Sequence, residues 1–250
     1  MTTLKQITNF LNEYLKISET QDTSVNGLQV SGKNNINKIA FAVDACMETF
    51  VAAKKAGADM VIVHHGLIWK GITSVTGITY DRLKFLIENE ISLYGAHLPL
   101  DRHSDAGNNI MLMRLFNIKN AVEFGEYHGI FIGFMGELER ERNLKDFAAE
   151  IEEKLNTKCT VLPFGKETVR KVGVVSGGAP GIVNEAVEKV DVFVTGEASH
   201  TVYHTAKEAK VNVIFAGHYA TETLGVKALA EVLKKEFCVE TVFIDLPTGL

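Results

Sequence analysis

Residues 60–71 read Met-Val-Ile-Val-His-His-Gly-Leu-Ile-Trp-Lys-Gly. Four apolar residues in a row, three of them β-branched, predict a strand buried on both faces, because a half-exposed strand would alternate apolar with polar. The run stops at His64-His65-Gly66. Neighbouring strand residues point to opposite faces, so an adjacent pair on an ideal strand cannot chelate one ion. At a strand end, with a glycine to let the chain turn away, the two imidazoles can instead diverge to two different partners.

The pattern around this strand repeats. Thr3 is placed to cap a first helix in which Leu4, Ile7, Phe10, Leu11, Tyr14 and Leu15 recur at helical spacing. A turn at Asn26-Gly27 follows. Strands are then expected over 36–43, 60–63 and 91–94, with helices over 47–56 and 80–89 between them. They end respectively at Asp44, at His64-His65 and at Gly95-Ala96-His97. Near the C-terminus the same order returns: strands over 171–175, 192–194 and 211–215, with helices over 182–189 and 202–209. Strand–helix alternation of this kind implies parallel β-α-β units. The expected fold is therefore α/β, with two pseudo-repeated β-α-β halves, 1–118 and 166–250, in three layers with mostly parallel sheets. Between them, 119–165 reads as a small inserted α+β segment, with a strand over 129–135, a helix over 144–155 and a strand over 158–162.

Composition bounds the rest. The chain's 250 residues suffice for one large domain or two small ones, and 46% apolar with 23% charged residues is ordinary globular usage. A net charge of −5 argues against a nucleic-acid footprint. Cys46, Cys159 and Cys238 are scattered and odd in number, so no disulfide framework is expected and a reducing cytoplasm is the simplest setting. The N-terminal stretch lacks an apolar signal core, and no apolar run approaches the ~20 residues that span a bilayer.

In open α/β sheets, ligands gather beyond the carboxyl ends of the strands. His64, His65, His97, Asp101, His218 and Glu222 all fall there. The two halves share a spacing, His97-x-x-x-Asp101 and His218-x-x-x-Glu222, each after a strand of the same rank. One such histidine alone reads as a packing residue; their convergence reads as a metal centre. Nitrogen and oxygen ligands without thiolate suit Zn, Fe, Mn or Ni. Six candidates exceed the needs of one tetrahedral ion, so two divalent ions are expected, and such pairs usually share a bridging group. Glu197, His200 and His204 lie near the matching strand end of the second half and could support the ligands or touch substrate. Trp69 could stack on a base. The glycine-rich stretch 176–181 could bind an anion on its backbone N–H groups, but it lacks the Lys-Ser/Thr of a phosphate-binding loop and reads rather as a tight turn.

These residues carry a resemblance. Asn26-Gly27-Leu28-Gln29-Val30, Val63-His64-His65-Gly66, His97-Leu98-Pro99-Leu100-Asp101 with Gly107-Asn108-Asn109, Thr195-Gly196-Glu197 and Gly217-His218-Tyr219-Ala220-Thr221-Glu222 resemble the Nif-three-like family of dinuclear metal-binding proteins, the type 2 homologs of GTP cyclohydrolase I. The resemblance implies that His64 and His65 serve different ions. Asp101 would join His65, His218 would join His64, and Glu222 would bridge both. His97 would sit close by. It also implies a homo-oligomer, a hexameric ring built from dimers. One departure is visible: Ser24-Val25 precedes Asn26 where many relatives carry an acidic residue, which leaves the cap of that turn open.

The function implied is a metal-dependent hydrolase acting on a nucleotide. A metal-bound hydroxide would open the purine ring of GTP and release formate, with His97 transferring a proton. Two other readings stand beside it: a two-metal phosphoesterase, and a non-enzymatic metal-binding scaffold for protein partners.

Overall fold

A computed structural model describes residues 2–250. The chain divides into two units, Met1–Leu100 with Gly225–Leu246, and Asp101–Leu224 with Pro247–Leu250. These boundaries differ from the 118/119 and 165/166 divisions expected from the sequence. In chain order the elements begin β1 (Thr2–Thr3), α1 (Leu4–Tyr14), β2 (Gly27–Val30), β3 (Asn35–Ile36), β4 (Lys38–Asp44), α2 (Met47–Lys55), β5 (Met60–His65), α3 (Gly77–Glu88), β6 (Ser92–Gly95) and α4 (Leu98–Asp101). They continue with α5 (Asn108–Leu115), β7 (Ile118–Tyr127), β8 (Ile130–Asn143), α6 (Leu144–Leu155), β9 (Thr160–Pro163), β10 (Thr168–Val175), α7 (Val183–Ala186), β11 (Val192–Thr195), α8 (Val202–Ala209), β12 (Asn212–Phe215), α9 (His218–Glu236) and β13 (Glu240–Phe243).

The first unit is a three-layer α/β sandwich. Thr3 caps α1 in a full capping box with Gln6, as the sequence predicts. The sheet order is β13-β4-β5-β6-β2, parallel throughout except for β2. Ile39, Phe41, Met60, Ile62 and Tyr94 face Leu4, Ile7 and Leu11 of α1 and Leu229 and Leu233 of α9. Ala40, Ala42, Val61, Val63 and Leu93 face Phe50 and Ala53 of α2 and Leu86 of α3. This two-sided burial explains the unbroken Met-Val-Ile-Val run. Each large side chain so buried contributes about 1.5–3 kcal/mol.

The second unit holds the sheet β7-β8-β10-β11-β12-β9. Its centre, β10-β11-β12, is parallel, and β8, β7 and β9 join antiparallel. Leu112 and Met113 of α5 and Phe147 and Ile151 of α6 cover one face, against Phe134, Val172, Val174, Val192, Val194 and Ile214. The strand expected over 129–135 is the first half of a longer arm, β8, hairpinned with β7. The helix expected over 182–189 is one turn, α7, because Val187 turns extended at ψ 130° and Glu188 takes φ +67°.

The duplication extends to hydrogen bonds. Asp59 Oδ2 accepts the backbone N–H groups of Asn37 and Lys38 at 2.9 and 3.3 Å. Asp191 Oδ2 accepts those of Arg170 and Lys171 at 3.0 and 2.9 Å. In both halves the aspartate that opens the second parallel strand fastens the start of the first. Ala96 N–H bonds Val63 O in one half, and Ala216 N–H bonds Thr195 O in the other. Counted from these two bonds, His97 matches Gly217, and His218 falls one residue later. The shared His-x-x-x-acid spacing is thus offset by one residue between the halves. No helix among the described residues is long and apolar enough to cross a membrane.

Candidate metal centre

In the first unit three imidazoles converge. His64 ends β5 on the row of Met60 and Ile62, and His65 on the row of Val61 and Val63. The two rings close to 4.6 Å between centroids. His97, just after β6, lies 5.1 Å from His64 and 5.7 Å from His65 by the same measure. One nitrogen from each of the three lies within 4.8 Å of the others.

Each ring is held by its Nδ1. His64 Nδ1 donates to Ala96 O at 2.9 Å. His65 Nδ1 meets Asp44 Oδ1 at 2.8 Å, and Asp44 and His65 are register partners on β4 and β5. His97 Nδ1 meets the two oxygens of Asp22 at 3.0 and 3.1 Å. An oxygen acceptor on Nδ1 leaves Nε2 as the lone-pair atom, which is how metal-ligating histidines are usually oriented.

The preceding loop builds this bracket. Asp22 Oδ1 accepts from Ser24 N–H, and its Oδ2 accepts from Asn26 Nδ2 and Leu98 N–H. Asn26 Oδ1 accepts from His97 N–H at 2.7 Å. Asp22 therefore caps the turn that the sequence left open at Ser24-Val25. Burial would raise the pKa of Asp22. The hydrogen bond and charge of His97, then Asn26 and Ser24, outweigh it and bring the carboxyl down to about 2. Gln29 fastens the loop after the histidines. Its Oε1 accepts from Leu67 N–H, and its Nε2 donates to Val25 O. A Cβ on Gly66 would collide with the Gln29 amide, so that glycine is set by close approach; its φ is not positive. Trp69 donates Nε1–H to Gly66 O, and its half-exposed ring lies edge-on to His97 at 4.9 Å.

In the second unit Asp101, His218 and Glu222 are drawn together around Ser176-Gly177. Asp101 Oδ1 accepts from Asn108 Nδ2 and from Ser176 Oγ, both at 3.0 Å. Asn109 accepts Ser176 N–H at 2.7 Å. The Asp101 and Glu222 carboxylates offer oxygens within 4.8 Å of each other. His218 opens α9, and one turn on, Glu222 Oε2 lies 3.0 Å from its Nε2. Glu197 Oε1 holds the other nitrogen, Nδ1, at 2.5 Å. Burial would lower the pKa of His218, but Glu222 and then Glu197 overcome it and raise it to about 9.

Glycines make this packing possible. Gly177 holds φ +65°, and a Cβ there would strike Glu222 Oε1 and come within 3.1 Å of His218 Nε2. A Cβ on Gly196 would meet Gly177 O at 2.7 Å and His218 Cα at 2.8 Å. The 176–181 stretch is thus a tight turn shaped around Glu222. Beside Glu197 a cavity of about 1000 Å³ is lined by Glu152, Lys158, Thr160, Gly196 and Gly217 among others. His204 lies with His200 and Tyr203 on or just before α8, ring centroids 6.4 and 5.4 Å away, and belongs to neither cluster.

Imidazole nitrogens held by oxygen acceptors, together with buried carboxylates, could hold a metal ion. Sequence reading missed Asp22, Asp44, Ser176 and the roles of Asn108 and Asn109. Only Asp44, at a strand end, and the Gly107-Asn108-Asn109 motif carried a signal.

Known proteins share this architecture. A sequence model of the family described as Duf34/NIF3 (NGG1p interacting factor 3) matches residues 2–248. The chain is 49% identical over 247 residues, 98% of its length and 99% of the relative's, to a protein of Pyrococcus abyssi (strain GE5 / Orsay) named GTP cyclohydrolase 1 type 2 homolog. Among solved structures, protein ybgI, of unknown function, superposes with a TM-score of 0.94 at 36% identity over 100% of both chains. TTHA1606 from Thermus thermophilus superposes with a TM-score of 0.91 at 38% identity, again over 100% of both. With residues 2–248 matched and near-half identity to a curated relative, the chain belongs to the Duf34/NIF3 family.

Proposed function

We propose that the protein is a dinuclear metal-dependent hydrolase that opens the purine ring of a nucleotide, with GTP the candidate that the names of its relatives suggest. His64, His65, Asp101, His218 and Glu222 would hold the two ions, with Glu222 shared between them. The observation that carries this reading is the orientation of the imidazoles: the Nδ1 atoms of His64, His65, His97 and His218 each face an oxygen acceptor. A packing histidine needs no such uniform arrangement; a ligating one does. The set has no thiolate, unlike most closed structural zinc sites, and this favours chemistry over a scaffold.

Bound divalent ions would supply an activated water by lowering its pKa from 15.7 to about 7. The protein's own part is positioning and proton handling. His97, steadied by Asp22, is the group to move a proton to or from the opening ring. Glu197 orients His218, and Asn108 and Ser176 orient Asp101. Trp69 lies beside His97, and the face of its half-exposed ring could stack on a base. The same reading has the protein working in the cytoplasm as a hexameric ring built from dimers.

The test is product analysis. Full-length protein loaded in turn with Zn, Fe, Mn or Ni is incubated with GTP, and formate and phosphate are both measured. Formate release supports ring opening. Phosphate alone replaces it with the two-metal phosphoesterase reading. Neither product on a nucleotide panel, with metal bound, sinks the hydrolase and leaves the scaffold.

A further inference from the structure

The loop before β2 grips the residues after β6 with unusual thoroughness. Asp22 commits its two oxygens to Ser24 N–H, Asn26 Nδ2, Leu98 N–H and the His97 ring, and its side chain is 2% exposed. Asn26 adds a bond to His97 N–H, so both the backbone and the ring of His97 are fixed by one turn. A carboxylate flanked by donors on every side has only acceptor capacity left for His97, so Nδ1 must carry the proton.

We propose that Asp22 is a positioning residue for His97, holding the ring in the Nδ1–H tautomer so that Nε2 is the atom that takes up and returns a proton. The inference deepens the hydrolase reading, in which His97 handles a proton, but its spectroscopic test does not depend on that reading. A carboxylate behind an imidazole fixes orientation and tautomer and stabilises the imidazolium that forms during transfer. Asp22 would do this without touching substrate.

The direct test is side-chain ¹⁵N NMR of the full chain at pH 8, metal-free and zinc-loaded. H97Q identifies the His97 signal among the chain's eight histidines. The expected result is a protonated, slowly exchanging Nδ1 and an unprotonated Nε2 on His97. D22N should shift His97 toward the Nε2–H tautomer or into exchange between the two. A wild-type His97 in the Nε2–H form, or a D22N spectrum identical to wild type, would overturn the proposal. Should D22N not fold, the wild-type spectrum decides alone. Where GTP yields formate, D22N should lower kcat by about 10²–10⁴-fold with KM little changed. An unchanged kcat would likewise overturn it. Absence of formate from the wild type removes the substrate reading and leaves the tautomer result standing.

Discussion

His65 Nδ1 and Asp44 Oδ1 stand 2.8 Å apart at the paired ends of two neighbouring parallel strands. The sheet register itself therefore aims the ring. Asp44→Ala should leave the fold intact, since the Asp44 side chain is 40% exposed, but it should weaken metal affinity by about 10–100-fold. Zinc titration against a competing chelator measures this. Affinity equal to wild type would mean that the pair has no ligand-orienting role.

Gly177 is required by two independent constraints, a positive φ and the approach of Glu222. Gly177→Ala should cost about 1–2 kcal/mol for the left-handed backbone alone, plus displacement of Glu222. Thermal unfolding should show a lower Tm, and metal content should fall with it. A variant with normal Tm and normal metal content would show that the turn relaxes freely.

Asp59 and Asp191 do the same work in the two halves. Replacing either with Ala removes two hydrogen bonds to backbone N–H groups at a strand start, an expected loss of about 0.5–1.5 kcal/mol per bond. Urea unfolding of D59A and D191A tests it. A loss at one site only would show that the two fastenings are not energetically equivalent.

Asp22 also sets an acid limit. Its carboxyl is depressed from 3.8 to about 2, so its contribution is present above pH 4 and is lost as pH falls from about 4 to 2. The contribution is about 2 kcal/mol. Unfolding free energy measured from pH 5 to pH 2 should fall less steeply in D22N than in wild type. Parallel curves would place the acid sensitivity elsewhere.

Much of this architecture is readable from the chain because its central strands are buried on both faces. Met60-Val61-Ile62-Val63 and Val192-Phe193-Val194 announce themselves as apolar runs. The β7–β8 arm does not. Lys119, Asn120 and Glu123 are exposed, the pairing slips between Lys119 and Val122, and Asn120 takes φ +56°, so no period-2 pattern survives. The helix α9 continues through Gly225 to Glu236, and Val226, Leu229, Ala230 and Leu233 recur there at helical spacing and are buried. At the candidate site the two clusters are legible in residue type, and so is Glu197, which holds His218 Nδ1; the supports of His65 and His97 are not. Asp22 lies 75 residues from His97 and Asp44 lies 21 from His65; such pairs are made only by tertiary packing.

The central claim is that two ions share Glu222. The metal content of full-length protein after dialysis, measured per chain beside Glu222→Gln, tests it most directly. Two ions per chain are expected in the wild type and one or none in the variant. A wild type that holds a single ion, or a variant that keeps both, would contradict it.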